Sequence, residues 1–178
     1  MITDFNYFRL PDLNLVSKEF WKMTTVSNWK KVIIDYNKTQ KNYYSDPQEV
    51  NEKCKEIKEK SAARVYKKYS YSQVKDFYKE WNIIYGQLYK YFEPIWLSDE
   101  NKYGPSDDGY YDLLSSMVGS GKIFVKSCIN EPRKFVEMAK NNAYVENFSY
   151  MLNVRKDDYY KIKEKYDPFF RDVRKYNL

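Results

Sequence analysis

Apolar positions along this chain recur at three- and four-residue steps, and no run alternates apolar with polar residues as a half-buried strand would. The pattern predicts an all-α protein. Ser17 precedes the first periodic segment, where Glu19, Phe20 and Trp21 open a helix. The Thr24-Thr25-Val26 triplet predicts a break there, with the helix resuming from Ser27 through Trp29, Val32 and Ile33. Asp46-Pro47-Gln48-Glu49 has the make-up of a helix start: an aspartate N-cap, a proline where its missing N–H costs nothing, and a glutamate placed to close a capping box. Val50, Cys54, Ile57, Ser61 and Val65 then form one inward face, with Lys and Glu on the others.

A second long helix starts at Ser70 or Ser72 and runs toward Phe92, its inward stripe being Val74, Phe77, Trp81, Ile84, Tyr85, Leu88 and Phe92. Pro94 is expected to bend or end it near Glu93. A loop through Asn101, Gly104 and Pro105 follows, and helix returns from Ser106 or Asp107 with Tyr110, Leu113, Leu114, Met117, Phe124 and Cys128 inward. Gly119-Ser120-Gly121 interrupts that segment and provides small residues for close helix packing. Beyond Pro132 a short helix carries Phe135, Val136 and Met138, and the stretch from Tyr144 onward holds one or two more helices broken near Asp167-Pro168.

Composition narrows the chemistry. The chain has 178 residues, a length suited to one domain, and neither an internal repeat nor a linker divides it. No charge-free stretch is longer than Leu113–Gly121, far short of the roughly 18 residues of a membrane span. There is no histidine, which removes the commonest general acid–base group, the histidine-dependent nucleophile systems and most zinc and non-haem iron sites. Cys54 and Cys128 form neither a disulfide framework nor a four-ligand metal set, and read as reduced core thiols. No signal-peptide pattern opens the chain, so a cytoplasmic location is expected.

The net charge of +6 comes from 31 basic and 25 acidic residues of interspersed sign, which permits an acidic partner without demanding one. Lys53, Lys55, Lys58, Lys60, Arg64, Lys67 and Lys68 share one predicted helix and offer a track for a phosphate backbone. Interleaved glutamates, with Glu49–Lys53 and Glu56–Lys60 in the favourable four-residue order, favour a solvated helix face instead.

Two glycine-containing motifs invite functional readings. Gly119-Ser120-Gly121-Lys122 fails as a phosphate loop, because Ser116 stands where the first glycine belongs, Ile123 follows the lysine, and the preceding segment is helical. Ser106-Asp107-Asp108-Gly109 clusters carboxylates but lacks the alternating acidic spacing of a calcium loop; helix capping explains it more simply. Asp107 and Asp108 are a poor acid–base pair, since adjacent helical residues point in different directions.

Ser106-Asp107-Asp108-Gly109-Tyr110 also resembles the SDDGF signature of a bacterial domain family of unknown function, family 4240. Tyr110 takes the aromatic place, Met117-Val118 a Leu-Ile place, Gly121 the glycine, Lys122 a basic place and Pro132 the proline. Glu19-Phe20-Trp21, the helix of Phe77 and Tyr85, and Phe148 to Tyr160 extend the likeness over about residues 17–165. The family's arginine and tryptophan are replaced by Leu114 and Ser116. The resemblance implies a small, mostly helical bacterial protein and supplies no catalytic residue, cofactor or substrate.

The combined expectation is a single-domain bundle of about six helices spanning residues 1–178. Its leading function is non-catalytic binding of a protein, immunity-like or regulatory, with a toxin or effector as partner. The expected patch is Tyr103, Asp107, Asp108, Tyr110 and Tyr111, with no metal, no cofactor and no membrane. A nucleic-acid-binding module using helix 49–68 is the alternative, and an enzyme using Asp107 or Asp108 the third reading.

Overall fold

The computed structural model describes residues 9–97, 107–141, 143–146 and 148–167, all of whose regular structure is helical. In chain order the helices are α1 (Lys18–Ser27), α2 (Trp29–Gln40), α3 (Pro47–Lys68), α4 (Tyr71–Trp96), α5 (Asp107–Gly119), α6 (Lys122–Asn130), α7 (Arg133–Lys140), α8 (Phe148–Leu152) and α9 (Lys156–Tyr166). The all-α expectation holds. The number does not: eight helices of eight residues or more and the five-residue α8 replace the expected six. Asn28 separates α1 from α2, while Ser120-Gly121 and Glu131-Pro132 bound α6 at interruptions that the sequence marks.

Local chemistry places most starts. The Ser17 hydroxyl accepts from the Phe20 N–H at 3.0 Å, and Asp46 accepts from the Glu49 N–H at 3.0 Å with Pro47 just inside the helix. The Glu49 carboxylate does not close the box; it pairs with Lys53 instead. A full capping box forms at α4, between Ser70 and Gln73.

Two expected boundaries shift. Helix α1 runs through Thr24-Thr25-Val26 and breaks at Asn28, which adopts the left-handed conformation at φ 53°. Asparagine tolerates that region, whereas β-branched residues only lower helix propensity and do not stop a packed helix. Pro94 lies inside α4, which continues to Trp96. So near the end, the proline removes a single ladder donor, while Ile95 is buried and Trp96 stacks on Tyr110 at 4.9 Å.

One contiguous apolar cluster draws residues from every helix and from Leu13 and Val16 ahead of α1. The long helices α3 and α4 line it with Val65, Tyr66, Phe77, Trp81, Ile84 and Leu88, and α5 contributes Leu113, Leu114, Met117 and Val118. Where α5 ends, α2 and α8 press against it: a Cβ on Gly119 would lie 2.7 Å from Phe148 Cδ2 and 2.9 Å from Trp29. Those two rings are fully buried and 5.2 Å apart. Gly119 thus makes the close approach that the sequence suggested for this glycine pair.

Buried polar groups are tied into the same core. Ser116 donates to the Val145 carbonyl at 2.9 Å and accepts from the Val145 N–H at 2.9 Å and the Trp29 indole N–H at 3.4 Å. Tyr159 of α9 donates to the Tyr69 carbonyl at 2.7 Å and lies 3.2 Å from that of Tyr66. Both cysteines are buried and unbridged. Among the described residues no helix is long and apolar enough to cross a membrane, and no group of three His, Cys, Asp or Glu side chains is arranged to hold a metal ion.

Candidate functional site

Adjacent residues on a helix are separated by about 100° of rotation, so the short string Asp107–Tyr111 cannot present one face. Tyr110 turns into the core, 3% exposed, and donates to the Tyr89 carbonyl at 2.8 Å. Tyr111 is half-buried and turns toward α4 and α8, donating to Ser149 Oγ at 2.9 Å. Asp108 is exposed. Tyr103, Ser106 and the loop through Asn101, Gly104 and Pro105 lie outside the described residues, as does the side chain of Asp107. Of the expected positions with described side chains, Tyr110 is core, while Asp108 and Tyr111 face outward.

Tyr111 belongs instead to an aromatic face built mainly by α4. Tyr78, Trp81, Tyr85 and Tyr89 follow one another at three- and four-residue steps along that helix. Tyr78 stacks on Trp81 at 5.9 Å and 6° between planes, and Trp81 stacks on Tyr85 at 4.8 Å and 20°. Tyr85 meets Tyr89 at 5.8 Å and Tyr111 at 5.2 Å. Tyr150 of α8, next to the Ser149 that holds Tyr111, is 60% exposed, and Tyr89 is 36% exposed. Trp81 is the buried keel of this arrangement, 1% exposed, and its indole N–H has no partner.

Ring stacking holds these side chains in fixed orientations while leaving the tyrosine edges open, so a partner meeting them immobilises little further rotamer freedom. Burial pushes the Tyr85 phenol up to about 12, with Tyr111 and Tyr89 adding to the shift, and burial also raises Tyr111. Both stay neutral at physiological pH and act as hydrogen-bonding phenols. The four-residue aromatic repeat is visible in the sequence but reads as core, because period alone does not tell a fully buried stripe from its half-open margin. Tyr150 has no such signal.

Asp112, one turn after Asp108, is the most perturbed carboxylate. It is 9% exposed, and burial pushes its carboxyl up to about 6, with the negative charges of Glu146 and Asp108 adding and Lys58 opposing. Two clefts in the surface are lined by other residues: one by α1, α2 and the α5–α6 turn, the other by Asp35 to Ile57. Neither has Asp108 or Asp112 in its wall.

The basic helix α3 has its charges largely engaged within the molecule. Lys53 pairs with Glu49, Lys60 with Glu56 at 2.8 Å and Lys55 with Glu59 at 3.9 Å, while Lys165 of α9 reaches Glu59 at 2.6 Å. Lys58 and Lys68 lie over the rings of Tyr36 and Tyr69. Leu114 and Ser116 have internal roles: Leu114 is fully buried, and Ser116 satisfies the indole of Trp29.

Comparison with protein-family profiles, with curated proteins and with solved structures finds no match to this chain.

Proposed function

We propose that this chain is a single-domain, non-catalytic protein-binding protein, immunity-like or regulatory in the bacterial cytoplasm, and that it engages its protein partner through the aromatic face of α4, α5 and α8. The observation that supports this reading is the half-open array of Tyr78 and Tyr85 stacked on a buried Trp81, with Tyr89 and Tyr111 packed on Tyr85 and the exposed Tyr150 next to the Ser149 that holds Tyr111. Tyrosine is enriched at protein interfaces because it contributes apolar area and a hydrogen-bonding tip at small entropic cost. The intramolecular pairing along α3 leaves the nucleic-acid reading less support.

The test compares the wild-type chain with a Tyr89→Ser/Tyr150→Ser variant as bait in a lysate of the source cells, at about 0.1 M and about 1 M salt, across which electrostatic contacts become strongly screened. Tyr150 is 60% exposed, while the Tyr89 ring also meets Tyr85 and Tyr110, so circular dichroism should match wild type with a modest fall in the urea midpoint, and the baits are compared where both are folded. One stoichiometric protein that survives high salt and is lost from the variant is the expected result. Equal capture by both baits overturns the assignment of the face. Nucleic acid released by salt would transfer the function to α3.

A further inference from the structure

The charge-free segment ending at Gly121 and the lysine that follows it line a cleft of about 590 Å³ between α1, the start of α2 and the α5–α6 turn. Its wall contains Lys18, Lys22, Lys30 and Lys122 and no carboxylate. That is unusual for this chain, whose lysines are elsewhere interspersed with Asp and Glu. Among the described residues, opposing charge near the wall comes from Glu19, 3.1 Å from the Lys22 ammonium, and from Glu80, which accepts from Ser17 just before Lys18. Lys122 is held by a neutral group, Asn14 Oδ1, at 3.0 Å, and Lys30 lies 5.2 Å over the Phe124 ring. The buried Trp21 and Trp29 form part of its floor, and Ile123, 87% exposed, adds apolar surface to its wall.

We propose that this cleft binds a small phosphate ester, with the phosphate beside the four lysines and an apolar body against Ile123 over the floor formed by Trp21 and Trp29. Several cations around one cleft lower the free energy of a multivalent anion far more than isolated surface lysines do, because their potentials add in a space partly walled off from solvent. Gly121, φ 96°, opens α6 without a side-chain cap, and Gly121, Lys122 and Ile123 at this helix start line the same cleft. This is not a nucleotide phosphate loop: helix, not strand, precedes the turn, and Thr24 and Thr25 already donate to the Trp21 carbonyl. The proposal stands apart from the aromatic face, which lies on α4, α5 and α8.

The experiment is calorimetric titration of the full chain with inorganic pyrophosphate and then with phenyl phosphate, followed in parallel by tryptophan fluorescence. Both ligands should bind at one site, and phenyl phosphate should perturb the fluorescence more than pyrophosphate does. A Lys18→Gln/Lys30→Gln variant, both positions exposed, should weaken binding at least about tenfold through the loss of two charge-assisted contacts. A Lys79→Gln/Lys90→Gln variant on α4 removes the same charge elsewhere and should bind as wild type, as should the Tyr89→Ser/Tyr150→Ser variant. No saturable binding, or equal weakening in the two lysine variants, overturns the proposal.

Discussion

A single missing methyl group marks how tightly this core is closed. At Gly119 a Cβ would fall within 3.0 Å of two fully buried rings, Trp29 and Phe148, neither of which can swing aside as a flexible chain end would. Gly119→Ala should therefore lower stability by about 1–3 kcal/mol through overpacking, despite the better helix propensity of alanine. Gly86 in α4 is its opposite: nothing lies within 4 Å of the position its Cβ would take. Gly86→Ala should raise stability by about 0.5–1 kcal/mol, so urea midpoints of the two variants should move in opposite directions from wild type. Asp112 carries a pH signature at the same scale. Its carboxyl holds a proton more tightly folded, at about 6, than at its ordinary value of 3.8. Its contribution to stability is fully present below the ordinary value and is lost as pH rises through about 6. Asp112→Asn should remove that loss, so the stability difference between variant and wild type should move in the variant's favour between pH 4 and pH 7; parallel curves would show that the carboxyl is not perturbed.

Among the elements, α9 acts as a clamp on the end of α3. Tyr159 is 1% exposed, its ring lies 4.6 Å from that of Tyr66, and its hydroxyl satisfies the carbonyl of Tyr69 just beyond the last turn of α3. Those terminal carbonyls have no partner within their own helix. Tyr159→Phe keeps the ring and strands the carbonyl, which should cost about 1–3 kcal/mol. Tyr44→Phe, at a position 97% exposed, is the control and should change nothing measurable. Faster amide exchange in α9 would accompany the loss if α9 is held by this contact; an unchanged urea midpoint would refute the clamp. Element starts were legible wherever a side chain near in sequence makes the cap, as at Ser17, Asp46 and Ser70. Element ends were less so. Whether α4 stops at Pro94 depends on Trp96 finding Tyr110 and Phe135, contacts the local sequence does not encode.

Over the whole molecule, one apolar cluster links the helices, and among the described residues nearly all the ion pairs around it join positions three or four apart in the chain. Such exposed pairs contribute little stability, so burial and the hydrogen-bonded core groups hold the fold. The candidate sites are features of this scale. The aromatic face joins α4 to residues of α5 and α8, and the lysine cleft joins α1 and α2 to the α5–α6 turn across about a hundred residues of chain. By itself the sequence determined the helical class, the inward stripes of α3, α4 and α5, and the caps that open α1, α3 and α4, because these follow from period and from hydrogen bonds spanning a few residues. Only the tertiary structure decided that Tyr111 joins an aromatic face with α4, that Asn28 rather than the threonines breaks the first helix, and that four dispersed lysines line one cleft. Those outcomes depend on which helix packs against which, and that is set by the fit of side chains distant in the chain.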